Sequence, residues 1–346
     1  MLPRQKTILK IIINEYIATA QPVPSEALAK KYQLGVSPAT IRNEMARLEA
    51  EGYIFKPHTS AGSVPSAKGY RYYVETLENT LELPPTEQRL IQHLFMEVEK
   101  QLTEWIRLTA ALSTRLTQNA TVISIPKVPQ PRLFRMELIA LQDFLALLVL
   151  ILREARIKEQ LLSFEEVITQ EDLNKISRKF NDMFSGLTYQ QISARSSRLP
   201  PAEKQVLNTM VNMMQIEDTQ EYEDPYIEGL REMLNQPEFA RIEKVANLLE
   251  IVQSKLLLKV ISSQLPTQQG VQVIIGEENK EEPLRDFSVV VSRYGAPGHA
   301  SGTIAVVGPT RMRYGHNIAI VRHLANVLSN LMSELHGSNI NSFKKN

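Results

Sequence analysis

Residues 23–73 read VPSEALAKKYQLGVSPATIRNEMARLEAEGYIFKPHTSAGSVPSAKGYRYY, two helical patterns around a tight turn followed by a hairpin pattern. Ser25 is placed to cap a first helix carrying Ala27, Leu28 and Tyr32, and Gly35 breaks it. Ser37 followed by Pro38 restarts a helix, as an N-cap with proline at the first helical position. Ile41, Met45 and Leu48 fall at i, i+4 and i+7, so one face of this second helix is expected to be buried. Thr40, Arg42, Asn43 and Arg47 are left on the other side. Arg and Asn on a helix laid in a major groove can make bidentate contacts to base edges. Gly52 ends the helix, and Tyr53-Ile54-Phe55 against Val64 forms a small ribbon tipped by Ser60-Ala61-Gly62-Ser63. The pattern predicts a winged helix-turn-helix. A helix pair joined by Gly also fits a plain bundle with a polar surface; the adjoining ribbon favours the winged reading.

On the amino-terminal side, residues 2–20 form an amphipathic helix with Ile8, Ile12 and Tyr16 inward, ended by Pro22 and Pro24. On the other side, Ala67 to Leu81 reads as a further helix, and Leu83-Pro84-Pro85 marks a boundary. Residues 1–72 hold ten Lys/Arg against five acids, whereas the whole chain has a net charge of only +1. The excess of positive charge is therefore confined to one end, as suits a phosphate-bearing partner there.

The 346 residues are too many for one ordinary core, so two or three domains are expected. Residues 86–119 are helical, with Ile91, Phe95, Val98, Leu102, Trp105, Leu112 and Leu116 at near-heptad spacing. They read as a helix on a domain core, two consecutive helices, or a helix pairing with its copy. Strands are predicted at 121–125, 135–141, 144–152 and 156–164, then helices at 170–184 and 203–214. A helix at 241–264, strands at 271–275, 287–294 and 302–307, and a closing helix at 318–335 complete the chain. The helical pair interrupts what otherwise reads as one α+β unit with a central antiparallel sheet.

Several chemistries lack their residues. Zero cysteines remove thiol catalysis, disulfides and Cys-ligated metals, and agree with a reducing compartment. The six histidines form no HExxH and no i, i+4 pair, and there is neither a GxSxG nor a GxxxxGK[ST]. Glu165-Glu166, Glu277-Glu278 and Glu281-Glu282 read as solvated pairs rather than catalytic acids. Gly308-Pro309-Thr310-Arg311 could present backbone N–H groups to an anion, but reads better as a turn pinned by Arg311. The amino terminus has no signal-peptide pattern, and Leu138–Leu152 is too short and polar to span a membrane, so a cytoplasmic location is expected.

The candidate site is thus a DNA interface with Ser37, Thr40, Arg42, Asn43 and Arg47 on the reading helix. Lys56, His58, Thr59, Ser60, Ser63, Lys68 and Arg71 supply the wing and its flank. For Arg42 the alternative is a surface ion pair with Glu49 or Glu26, and for Asn43 a solvated position; base contact is preferred for both. Arg47 and Lys56 suit phosphates; Arg71 suits either a phosphate or an inter-helix tie.

Two long blocks carry a family resemblance. GVSPATIRNEMARLEAEGYI and PHTSAGSVPSAKGYRYYVETL resemble the amino-terminal domain of the heat-inducible transcription repressors of the HrcA family. GTIAVVGPTRMRYGHNIAIVRHLANVLSNL, at 302–331, is similar to that family's carboxy-terminal signature. The resemblance implies an α+β multidomain protein with a winged helix-turn-helix over 1–80. A GAF-like domain would follow over 84–154 and 223–340, with an inserted dimerising subdomain over 155–222. It further implies a non-enzymatic, cofactor-free homodimeric repressor on an inverted repeat of double-stranded DNA upstream of chaperone genes. Release on heat shock and maintenance by the chaperonin come from the same source. The rival reading is a regulator sensing a small molecule in the GAF-like domain. One departure is that the family's wing usually carries Arg at Ser63 and an acid at Ala67. Ser63→Arg is accordingly expected to tighten DNA binding and add about one ion to its salt dependence. Dimerisation is expected outside the basic module, through 86–119 or the helices holding Leu173, Ile176, Phe180, Leu207, Met210 and Met213.

Overall fold

The computed structural model describes residues 1–32, 35–58, 61–77, 82–99, 101–127, 130–153, 156–195, 199–219, 225–240, 245–246, 270–295 and 300–335. The chain begins with α1 (Pro3–Thr19), α2 (Ser25–Lys31), α3 (Pro38–Ala50), the two-residue strands β1 (Ile54–Phe55) and β2 (Val64–Pro65), and α4 (Ala67–Thr76). Helix α2 is preceded by Pro24 in the N-cap position, so Ser25 is its first residue rather than its cap. Helix α4 stops at Thr76, short of the expected Leu81, with Leu77 in extended conformation. Strand β1 pairs antiparallel with β2, and Val23 forms an isolated bridge to Ser63, so the segment before α2 closes the ribbon from its base.

The stretch expected as one long helix is two, α5 (Pro85–Glu97) and α6 (Leu102–Thr117), broken where Val98 turns extended. A continuous coiled-coil seam is therefore absent from 86–119. Five strands then form an antiparallel sheet in the order β7 (Tyr226–Glu228), β3 (Ala120–Ile123), β10 (Ser301–Pro309), β9 (Phe287–Gly295) and β8 (Val271–Ile275). Strand β10 alternates Ile304 and Val306 toward one core with Ala305 and Val307 toward another, as period-2 geometry requires of a sheet covered on both faces. Helix α11 (Tyr314–Leu335) packs on the first face beside α6. Met233 from the short α10 (Leu230–Leu234), with Phe239 and Leu284, covers the second. The helix expected at 241–264 lies almost wholly outside the described residues.

Between β3 and β7 sits a separate layer pair. Among the described residues, strands β4 (Leu133–Gln142), β5 (Leu145–Leu152) and β6 (Arg156–Ser163) pair only with one another, in the order β4-β5-β6. They pack on α7 (Gln170–Phe184), α8 (Tyr189–Ala194) and α9 (Pro201–Thr219). This corrects the expected division at residue 154: β4 and β5 belong with the inserted helices, not with the central sheet. The physical reason is the core they share, in which Met136, Leu138, Leu148, Leu150 and Leu162 meet Leu173, Phe180, Leu207 and Met210. The helix residues expected to need a second chain are thus buried within their own.

Candidate nucleic-acid interface

Helix α3 is built as its sequence dictates. The Ser37 hydroxyl accepts from the Thr40 amide at 3.2 Å and lies 3.0 Å from the Thr40 hydroxyl, so both residues belong to the N-cap. Ile41, Met45 and Leu48 are buried, joined by Glu44. Beyond Glu51 the chain turns on Gly52 at φ 76°, a left-handed value that Gly adopts without Cβ strain. Gly69 answers a different need: a Cβ there would overlap the Tyr53 carbonyl oxygen, so only glycine lets α4 approach the ribbon so closely.

The outward face of α3 presents Arg42, Asn43 and Arg47, all exposed. Arg42 reaches Glu26 of α2 at 3.9 Å, with 68% of its side chain exposed. Arg47 lies 3.9 Å from Glu44. At that spacing in water these pairs are worth little and give way readily to a phosphate or a base edge. Ala39 and Ala46, exposed on the same face, escaped the sequence reading. Their signal is positional: 39, 42, 43, 46 and 47 form one stripe at helical spacing, and small residues there let the helix axis lie close to a groove floor.

The ribbon residues divide. Lys56 is exposed and pairs with Glu49 at 3.0 Å. His58 is exposed, and Thr59 and Ser60 lie outside the described residues. Lys68 donates to the Glu51 carbonyl at 2.8 Å and lies 4.5 Å from the centre of the Tyr53 ring. Ser63 does not sit at a solvent-facing tip. It is 1% exposed, and its backbone exchanges two 2.9 Å hydrogen bonds with Val23. Phe55, an exposed aromatic beside Lys56, is a surface feature absent from the candidate set. Arg71 faces away from this surface: its Nε donates to Glu278 Oε1 at 2.7 Å, and its Nη2 to Val273 O at 2.7 Å and to Glu278 Oε2. Of the two alternatives for Arg71, the structure has a tie, made to the distant β8 region rather than to a neighbouring helix.

Helix α1 holds α2 through Glu15, which accepts from Lys31 at 2.6 Å and from the Tyr32 hydroxyl. These donors hold the Glu15 carboxyl below its ordinary range, the Lys31 ammonium foremost. At the far end, Arg311 fills the turn after β10, as the pinned-turn reading expected. It donates to Glu238 at 2.5 and 3.2 Å and to the Ile17 carbonyl of α1 at 2.6 Å. Among the described residues no group of His, Asp and Glu is arranged to hold a metal ion, and no helix is long and apolar enough to cross a membrane.

Comparison with known proteins adds the following. Residues 103–318 match the family described as "HrcA protein C terminal domain". The chain is 44% identical over 337 residues to the heat-inducible transcription repressor HrcA of Dehalococcoides mccartyi (strain ATCC BAA-2266 / KCTC 15142 / 195), covering 97% of each. It is 41% identical over 342 residues to the protein of the same name from Roseiflexus sp. (strain RS-1), covering 96% of this chain and 95% of that one. Among solved structures, a crystal structure titled a hypothetical protein at 2.2 Å resolution has a TM-score of 0.60 at 24% identity. It covers 96% of this chain and 98% of that one, a likeness of fold.

Proposed function

This chain belongs to the HrcA family of heat-inducible transcription repressors, and from that premise we propose that its first 77 residues are a winged helix-turn-helix reading an inverted repeat of double-stranded DNA upstream of chaperone genes. The observation that carries the proposal is the α3 stripe, where Arg42 and Asn43 stand exposed between Ala39 and Ala46 on a helix whose other face is buried. Arg42 and Asn43 are assigned to base edges, and Arg47, Lys56, His58, Thr59, Ser60 and Lys68 to phosphates and sugars of the flanking backbone. Ser37 and Thr40 hold the start of the helix, which brings the first N–H groups toward a phosphate. Ser63 and Arg71 drop out as DNA contacts, because one side chain is buried and the other is engaged by Glu278.

In this reading the five-stranded sheet with α6 and α11 is the GAF-like domain, and β4–β6 with α7–α9 form the inserted subdomain. Homodimerisation is assigned to the outer face of β4–β6. There Ile139, Leu147 and Leu161 lie in one row across the three strands, and Arg135, Ile151 and Ile157 in another. Ile139, Ile157 and Leu161 are exposed, and apolar side chains grouped in this way on one face suit an association surface. Between these rows Glu137 and Glu159 flank Val149, so a second copy turned by a two-fold axis can set its Arg135 against these acids. Release on heat shock and maintenance by the chaperonin are part of the proposal by family membership.

Footprinting of the purified protein on its own chaperone-gene promoters at growth and heat-shock temperatures tests the reading. Two protected half-sites related by inversion, lost at the higher temperature, are expected. Absence of any protected sequence at both temperatures overturns it.

A further inference from the structure

Two arginines bind the amino-terminal module to the rest of the molecule, one from each side. Arg71 extends from α4 and holds β8 by the Val273 carbonyl and the turn after β8 by both oxygens of Glu278. Glu278 is itself fixed, since its Oε2 accepts from the Ile275 amide at 2.8 Å. Arg311 extends the opposite way, from the turn after β10, and meets the Ile17 carbonyl in the last turn of α1 while Glu238 grips its other edge. A guanidinium at the carboxy-terminal end of a helix also meets the negative end of its dipole. Planar forks with two or three oriented acceptors fix angle as well as distance, which a lysine in either place would not do.

Between the two forks the contact is aromatic and buried. Tyr70 of α4 and Tyr314 of α11 are both fully buried with ring centres 5.5 Å apart. The Tyr314 hydroxyl is anchored within its own domain by Ser288 at 2.8 Å and Thr310 O at 2.7 Å. One continuous apolar core runs from Ile8, Ile12 and Leu48 to Ile275, Tyr314 and Ile318. A pair of modules joined only by a linker would not share a core or carry forks at two separate elements.

We infer that Arg71 and Arg311 are positioning residues that set the orientation of α3 relative to the carboxy-terminal body, and thereby fix which separation of two DNA half-sites the protein accepts. The inference rests on the DNA-binding reading above. Neither arginine needs to touch DNA for this. In a two-fold dimer the distance between the two α3 helices follows from how each module sits on its body, and a change in that angle moves the helices off the same face of the duplex. Loosening both forks leaves each α3 intact but lets the pair match several separations.

The test uses the full-length chain and a set of duplexes that carry the footprinted half-sites with spacers lengthened and shortened by up to half a helical turn, together with a duplex holding one half-site. The wild-type chain should lose about tenfold or more in affinity when the spacer departs by about 5 base pairs from its optimum. R71A/R311A should bind the single half-site within about twofold of wild type, while its spread across the spacer set shrinks to about threefold. Emission from the single Trp105, buried in α6, reports whether that variant is folded. Should R71A/R311A fail that check, Glu278→Gln with Glu238→Gln, which keeps side-chain volume, is measured in its place and should shrink the spread in the same direction. A folded variant that keeps the wild-type spacer profile overturns the inference, as does one that loses the half-site in parallel. A wild-type chain indifferent to spacing overturns it too. A wild-type chain that binds none of these duplexes sinks the DNA-binding reading itself.

Discussion

At Ser63 the ribbon is joined to the segment before α2 by the paired backbone bonds with Val23, and the buried hydroxyl has no hydrogen-bond partner among the described residues. Ser63→Arg therefore forces a guanidinium into a site shaped for a small side chain. It should lower stability by about 3 kcal/mol or more instead of tightening DNA binding, the reverse of what the ribbon's sequence suggested. Chemical denaturation beside a DNA titration separates the two: a stable variant with tighter binding would mean that the arginine escapes to solvent and reaches the backbone. Arg42 and Asn43 present the opposite case, exposed and lightly held. Arg42→Ala or Asn43→Ala should each cost about 1–3 kcal/mol on the specific site and much less on random DNA. Equal losses on both duplexes would reassign the side chain to phosphate.

Helices α1 and α2 illustrate the element scale. Glu15 of α1 has its carboxyl pKa lowered below 4.5 by the Lys31 ammonium and then the Tyr32 hydroxyl. A carboxylate whose pKa is depressed on folding adds stability that is present above its unfolded value and is lost as pH falls through the folded one. Thermal unfolding should therefore steepen in its pH dependence below about pH 4.5, and Glu15→Gln should flatten that limb while leaving the neutral-pH slope unchanged. An identical acid limb in the variant would show that Glu15 is not what couples α2 to pH. The α3 element was the most legible part of the site, because each of its signals is local: the Ser37 cap acts on the first turn, the apolar stripe repeats once per turn, and Gly52 acts on the turn it ends.

At the scale of the molecule, the β4–β6 face is the one to which the proposed dimer is assigned. Its row Ile139–Leu147–Leu161 is apolar and its neighbour Glu137–Val149–Glu159 is acidic at the edges. Leu147→Lys, placed on the central strand of that row, should convert a dimer into a monomer in sedimentation with little change in unfolding temperature measured at matched monomer concentration. It should also weaken operator binding toward the half-site value, since two modules no longer act together. A variant that sediments as a dimer would move the interface elsewhere. The six side chains of α7 and α9 expected to supply that interface, Leu173, Ile176, Phe180, Leu207, Met210 and Met213, are buried in the core these helices share with β4–β6.

What the sequence determined by itself is local. Ser37 and Pro38 start α3, Ile41, Met45 and Leu48 choose its buried face, and short apolar, β-branched runs at 271–275, 287–295 and 301–309 make strands; each effect acts over a few residues. Only the tertiary structure decided partners across long separations. Strands β4 and β5 look like any other strands by alternation, and nothing in their spacing says that they pair with β6 rather than extend the sheet of β3 and β10. Ser63 reads as a loop-tip serine until Val23, forty residues earlier, pairs with it and buries it. Arg311 reads as the pin of its turn and Arg71 as a phosphate contact or an inter-helix tie, but neither reading names Glu278 or Ile17, partners that lie 207 and 294 residues away. Spacing rules reach only as far as one turn or one hairpin, whereas burial and charge pairing answer to whatever the packed chain brings near.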